Sequence, residues 1–478
     1  MNFNWIFNRD EKVPLNNDSS ERVEGFEHEY AIEFDEIADK DERDNYIVQK
    51  LRGAEGVNAP NVYGMPARHR FNGGRVHIDM KHLEGCTPEV TNTLDLLKYD
   101  RELDLFVLDL FGPAYKPRIY KMSRDARDTF GGLHRNIMTR LKPDVRDRES
   151  LLLWAVVEKV LNGTGYQNPD GQYELLQRRT YIGDALSDNS TGGKGSRPLL
   201  NLREERHCKV DGWYRFHDIA GDGNMNQVAL ALSQVLWKCV LQLAEEDKLP
   251  RIPYYSGKHS NEAVRDMDSI CCRHSDWTLK GTPLEFRSLT SVYREFYKVI
   301  RGELYGQNTF TDKIIDVFGD TIPALDNINN DPYALAGRLD WVGKKFMIEY
   351  FMGATGRGPE SNEVQSLNVD YHRIDEGGLF HLTRLNDGWI ENEVSDKEAR
   401  TARNTPPLTR AHARGEIAQA FSEIAMKNGL SILVDWESIA LYNKSTSPVW
   451  TCNFPRPAHT YVECVSEFKS FISNCSKA

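Results

Sequence analysis

The chain lacks the marks of several protein classes. No C-x-x-C pair and no H-E-x-x-H occurs in its 478 residues, so neither a zinc finger nor a zinc hydrolase has support. The eight cysteines are scattered, unlike the framework of a disulfide-stapled small domain. The vicinal pair Cys271–Cys272 reads as two reduced thiols. Long apolar runs are also missing: the longest, "LLLWAVV" at 151–157, is too short to span a bilayer. The N-terminal stretch "MNFNWIFNRDEKVPLNNDSSERVEG" has no basic segment followed by an apolar core, so no secretory signal is expected. Positive charge is not in excess. The formal net charge of -11 argues against a general nucleic-acid binder. These absences lead to the expectation of a soluble, cytoplasmic protein whose partners include neither nucleic acid nor membrane.

What is present is a folding sequence. A hydrophobic content of 40% suffices for a packed core and excludes general disorder. Residues 1–21 read as a polar leader. Strand patterns follow at 23–34, 73–81 and 116–121, with helical patterns near 41–52 and 93–111. "DTFGGLHRNIMTRL" (128–141) reads as a glycine turn entering a strand, and 150–161 as a helix. Residues 183–196 read as a glycine-rich loop before strands at 197–203 and 213–219. A helix over about 224–245 carries apolar residues on most sides and is expected to be buried. Residues 260–356 read as mostly helical. "TPP" at 405–407 breaks the chain before a small unit with a helix near 409–427 and the strand "SILVDW". This order predicts an α+β fold: a large, mainly antiparallel sheet with packed helices, over 22–400, plus a small C-terminal domain over 401–478.

Chemistry concentrates on two strands. "GFEHEYAIEF" (25–34) alternates strictly, placing Glu27 and Glu29 on one face, about 7 Å apart. That is the Cα spacing; two carboxylates about 6 Å apart at an effective dielectric near 20 repel by roughly 3 kcal/mol, so water, a basic partner or a metal must offset it. "GGRVHIDMK" (73–81) repeats the pattern, with Arg75, His77, Asp79 and Lys81 on one face. "HLEGCTPE" then adds His82, Glu84, Thr87 and Glu89. Such a polar surface suits Mg²⁺, which takes hard oxygen ligands and needs few protein groups where phosphates supply the rest. A phosphate loop is excluded: in "STGGKGSR", Lys194 precedes Gly195, and Asp188 stands where the motif needs glycine. Arg197, Arg203 and Arg215 lie on strand-like segments, and guanidinium forks fit phosphate oxygens.

Together these segments resemble a known family. "GFEHEY", "NGGRVHID…H.E..TPE", "G.H.N", "SRPLLN.R.E.H", "R.H.IAGD.NM" and "TPP.TRA..RGE" occur in this order in the Pup ligase/depupylase (PafA/Dop) family of glutamine synthetase-like carboxylate–amine ligases. The resemblance runs from about residue 23 to 440. It implies a glutamine synthetase-like fold, ATP and Mg²⁺, and a site in which Glu27, Glu29 and Glu84 are metal ligands. It implies Asp79 as the catalytic base and Arg75, Thr87 and Trp436 as nucleotide contacts. His134 matches the histidine of the superfamily's G-x-H-x-N turn, implied to hold metal.

The chain also departs from the pattern. His77 stands where the family has a metal-associated tyrosine, and imidazole favours softer ions than Mg²⁺. Arg135 replaces an acid beside His134. Asn226–Gln227, "REERH" and Lys81 are further departures. The expected reaction joins a glutamate carboxylate of a small Pup-like modifier to a lysine amine of a target protein through an acyl phosphate. Arg75, Arg197, Arg203 and Arg215 would hold phosphate. Two alternatives stay open: a depupylase-like hydrolase of the same bond, and a ligase of a small carboxylate and amine. "TPEVTNTLD" leans to the depupylase branch. "VDW" at 434–436, and the lack of a long insertion over 35–72, lean to the ligase branch.

Overall fold

The alternation of "EGFEHEYAIE" forms strand β1 (Glu24–Glu33). In the computed structural model its even positions Phe26, His28 and Tyr30 are at most 1% exposed. They face the helix Thr93–Phe111, which begins where Asn92 accepts from the Asp95 amide. His28 Nε2 lies 2.6 Å from Asp100 Oδ1, and Tyr30 Oη donates to Asp104 Oδ1 at 2.8 Å. The inner face of β1 therefore carries polar tips, paired with acids of the helix rather than left unsatisfied in the core. The structure describes residues 22–79, 82–112, 115, 117–121, 123–124, 131–142, 149–189, 193–203, 210, 212–254, 260–272, 277–387, 394–422, 430–443 and 447–475. The leader expected over 1–21, Lys81 and most of "REERH" lie outside them.

The chain forms two compact units. The first takes in the described parts of Asn17–Ile119, Glu205–Trp213 and Val394–Ala478, the second those of Tyr120–Glu204 and Tyr214–Glu393. In the first, β1 is followed by β2 (Val57–Asn58), β3 (Ala67–His69), β4 (Arg75–Asp79) and β5 (His82–Cys86). They run in the order β1-β5-β4-β3-β2, all neighbours antiparallel. Strand β5 was not anticipated. Its short run, with Glu84 and His82 on one face and a glycine on the other, hid an alternation in which Leu83 and Gly85 face the core. A Cβ on Gly85 would come within 2.7 Å of Leu103 on the helix, so glycine here permits the close approach of helix to sheet.

After β6 (Arg118–Tyr120), the second unit holds β7 (Leu133–Thr139), β8 (Tyr166–Gln167), β9 (Tyr173–Glu174), β10 (Ile182–Ser187), β11 (Arg197–Asn201) and β12 (Tyr214–Gly221). Strands β10-β11-β12-β7 are consecutive sheet neighbours. The β10–β11 pair is parallel; β11–β12 and β12–β7 are antiparallel. β10 occupies the start of the segment expected to be a loop, since pairing with β11 satisfies its backbone. The helix Gln227–Glu245 is long and apolar enough to cross a bilayer, yet Val228, Leu232, Leu236 and Val240 are at most 2% exposed inside the protein. Asn226, one of the departures noted above, caps this helix by accepting from the Val228 and Ala229 amides. The α+β expectation agrees with this mixture of largely antiparallel strands and packed helices.

The chain then returns to the first unit. The helix Arg410–Ser422 precedes β13 (Leu430–Val434), β14 (Ser438–Asn443) and β15 (Pro448–Asn453), an antiparallel three-stranded sheet. Ile417, Phe421, Ile432, Val434, Leu441 and Phe468 form its core with the helix Val462–Cys475. Cys452 and Cys464 are joined by a disulfide, while Cys271 and Cys272 are free. The domain expected over 401–478 supplies this sheet, but the compact unit containing it also contains residues 17–119.

Candidate functional site

Register builds the site. Residues directly opposite in an antiparallel pair share a face. Across β1, β5 and β4, Glu27 pairs with Cys86 and Cys86 with Arg75; Glu29 pairs with Glu84 and Glu84 with His77; His82 pairs with Asp79. Strand β3 extends the first row to His69. Two strands recognised from sequence thus meet only through a third between them. The outer face reads as rows: Glu27–Cys86–Arg75–His69, Glu29–Glu84–His77, and His82–Asp79.

Charge is concentrated on these rows. Oxygens of Glu29, Asp79 and Glu84 lie within 4.8 Å of one another. Each ionised pair at that distance repels by about 3 kcal/mol at an effective dielectric near 20. Burial, and then the carboxylates of Glu27, Glu29 and Asp79, push the Glu84 carboxyl well above the usual range. This all-oxygen set fits a hard divalent cation, which would remove the repulsion. His77 is buried, and desolvation followed by the Arg75 charge lowers its imidazole to about 3, so the ring is neutral at pH 7. Arg75 donates through Nη2 to the Pro60 carbonyl at 2.7 Å, and its Nη1 lies 3.8 Å from Asp435.

The small C-terminal sheet supplies the end of the first row. Trp436 follows β13, and its ring meets His69 edge-on at 5.1 Å. Arg414 lies over the indole at 4.9 Å and donates to the Trp436 carbonyl at 2.8 Å. Glu89, counted with the site acids in the sequence, turns away from them. It accepts from Arg410 Nε at 2.7 Å and from Arg414 through both oxygens. These two guanidiniums outweigh burial and hold the Glu89 carboxyl at about 2. Thr87 is buried. Its hydroxyl accepts from the Phe26 amide at 3.0 Å, which ties the end of β5 to β1.

The second unit carries the remaining candidates. His134 and Asn136 share one face of β7 and Arg135 the other. Asn136 pairs with His217 across β12, and the rings of His134 and His217 lie 5.5 Å apart. Arg215 donates to Asn136 Oδ1 at 2.5 Å. Arg197 and Asn201 alternate onto one face of β11, and Asn201 pairs with His217. Arg203 lies beyond β11 and is exposed. Arg135 does not stand beside His134 as a reversed charge. It points into the core, 3.0 Å from Asp218 and 3.5 Å from Glu158, and Lys159 neutralises the same two acids at 3.3 and 3.0 Å. Sequence inspection missed Cys86, although the H-x-E-x-C alternation of 82–86 would have placed it beside Glu84.

Three comparisons bear on this geometry. The family model of the Pup-ligase protein matches residues 16–440. The chain is 26% identical over 402 residues to the Pup--protein ligase of Mycolicibacterium smegmatis, covering 79% of this chain and 85% of the relative. With the Pup--protein ligase of Corynebacterium glutamicum strain R, the identity is 26% over 451 residues, covering 87% and 89%. Among solved structures, the complex of the prokaryotic ubiquitin-like protein Pup with its ligase PafA is similar at a TM-score of 0.78 and 22% identity, over 95% of this chain and 93% of that one. The Pup ligase PafA in complex with ADP is similar at a TM-score of 0.71 and 20% identity, over 99% of each. Those two structures establish a shared fold.

Proposed function

The chain belongs to the Pup-ligase protein family, and from that premise we propose that it is an ATP-dependent carboxylate–amine ligase. Its substrates are the glutamate carboxylate of a small Pup-like modifier and a lysine amine of a target protein. The observation that carries this reading is the convergence of Glu29, Asp79 and Glu84 beside Arg75 on one sheet face. Relatives named Pup--protein ligase support it. The compartment this reading requires is the cytoplasm, which supplies ATP.

Glu27, Glu29 and Glu84 would hold Mg²⁺, with His77 beside them. When bound, the ion neutralises charge on the phosphates of ATP. The modifier carboxylate is activated as an acyl phosphate, and the lysine amine then displaces phosphate. That amine arrives mostly protonated at pH 7 and must lose a proton before it attacks. Asp79, next to the acids on the outer sheet face, is assigned as the base. Arg75 is assigned to phosphate, and its bonds to Pro60 and Asp435 hold the guanidinium in place. Trp436 is assigned to the nucleotide, and Thr87 contributes by fixing β5 against β1. His134 keeps the metal role the resemblance implies, while Arg197, Arg203 and Arg215 are assigned to phosphate on the chemistry of their guanidinium forks.

The test is conjugation. Purified chain, ATP, Mg²⁺, a Pup-like modifier ending in glutamate and a lysine-bearing acceptor are expected to give a conjugate lighter than its parts by one water. ADP should appear in equal amount. Absence of nucleotide binding overturns the reading. Release of modifier from a preformed conjugate, without conjugation, replaces the ligase by a hydrolase.

A further inference from the structure

The same sheet face carries a second donor set of different chemistry. Ligand atoms of His77, Glu84 and Cys86 lie within 4.8 Å of one another, and all three residues are buried. His77 Nε2 and Cys86 Sγ each lie 3.8 Å from Glu84 Oε1. His77 is 8% exposed, and its Nδ1 is buried with no hydrogen-bond partner among the described residues. The ring nitrogen that faces Glu84 is the other one, Nε2, and it is Nε2 that the ring offers to the set. Arg75, opposite Cys86 across β4 and β5, is committed to Pro60 and drawn toward Asp435.

We propose that His77, Glu84 and Cys86 form a site for a thiophilic divalent cation of the zinc class, sharing Glu84 with the all-oxygen set. Mg²⁺ selects oxygen ligands in near-octahedral array, whereas thiolate and imidazole select zinc-like ions. With bonds of roughly 2.0 Å to nitrogen and oxygen and roughly 2.3 Å to sulfur, tetrahedral ligand atoms stand about 3.3–3.5 Å apart. The observed 3.8 Å separations need close by only a few tenths of an ångström. On binding, the Cys86 S–H bond breaks, its proton passes to solvent, and the sulfur lone pair forms the metal–sulfur bond. The inference stands on this donor set and does not need the ligase reading.

Co²⁺ is the probe, added to the reduced, metal-free full chain. One equivalent is expected to produce a near-ultraviolet thiolate-to-cobalt charge-transfer band. Zn²⁺ should abolish the band, and excess Mg²⁺ should leave it. Cys86→Ser should remove it and weaken Zn²⁺ binding by roughly tenfold or more. Cys272→Ser, which alters a thiol on the helix Ser260–Cys272, should leave it unchanged. His77→Gln, with the thiol intact, should also weaken Zn²⁺ by roughly tenfold or more, so the inference is tested even where Cys86→Ser fails to fold. Cobalt bound without a sulfur band, a band surviving Cys86→Ser, or full affinity in His77→Gln overturns it. Nucleotide binding with Mg²⁺ but no cobalt–sulfur band sinks this inference and leaves the ligase reading. A band without nucleotide binding does the reverse.

Discussion

Replacing Glu89 by glutamine removes the carboxylate that faces both Arg410 and Arg414. The magnitude follows from the geometry. The Glu89 side chain is 13% exposed, and the two guanidiniums hold its carboxyl at about 2 rather than 4.5. At 1.36 kcal/mol per unit, that difference corresponds to about 3 kcal/mol of folding stability at neutral pH. Glutamine also leaves the fully buried Arg414 without its counter-charge, a change that costs about 3–5 kcal/mol in comparable pairs. Because the folded carboxyl is depressed, its contribution is complete above about pH 4.5 and is lost as pH falls through about 2. Wild type and Glu89→Gln should therefore differ most at pH 7, and their difference should shrink between pH 4.5 and 2. The assay is urea unfolding across pH, with hydrogen exchange at 430–443 reporting on the sheet that Arg414 anchors. Since Arg414 also holds the Trp436 carbonyl, KM for ATP should rise several-fold while kcat changes less. A difference below about 1 kcal/mol at pH 7, or one that does not vary with pH, refutes the assignment of Glu89 as an ionised clamp.

Asp79→Asn should lower the rate of conjugate formation by about 10²–10⁴ while nucleotide binding persists; an unchanged rate removes Asp79 as the base. Glu84→Gln should abolish the rise in Tm that Mg²⁺ causes and stabilise the metal-free protein by about 1–3 kcal/mol at pH 7, because it removes the cost of burying the Glu84 charge and its repulsion from Glu27, Glu29 and Asp79. The sign is opposite to that of Glu89. A raised carboxyl contributes fully below the unfolded value of 4.5 and loses that contribution as pH climbs, so acidification from pH 7 should stabilise metal-free wild type more than the variant in thermal melts. Arg135→Met should cost about 3–5 kcal/mol in denaturant unfolding, because Lys159 alone then faces buried Glu158 and Asp218.

Much of this was legible in sequence wherever the signal was local. The helical pattern near 93–111 agrees with the helix Thr93–Phe111, because its apolar period lies within one segment. The polar face of 75–79 and the Glu27–Glu29 pair were read from strict alternation. Strand β5 was not, because its outward positions hold His82, Glu84 and the apolar Cys86 while glycine takes one of its inward ones, which erased the hydrophobic contrast the pattern depends on.

The sequence by itself determined which residue types alternate, and so which carboxylates, arginine and histidine could share a face. That follows from the backbone period of two, which needs no knowledge of partners. Only the tertiary structure decided which faces meet. It inserted β5 between β1 and β4, brought Cys86 beside His77 and Glu84, and turned Arg135 inward. It also took Glu89 out of the site by pairing it with arginines more than 300 positions away. Pairing across such distances depends on register and packing, and neither leaves a period in the chain.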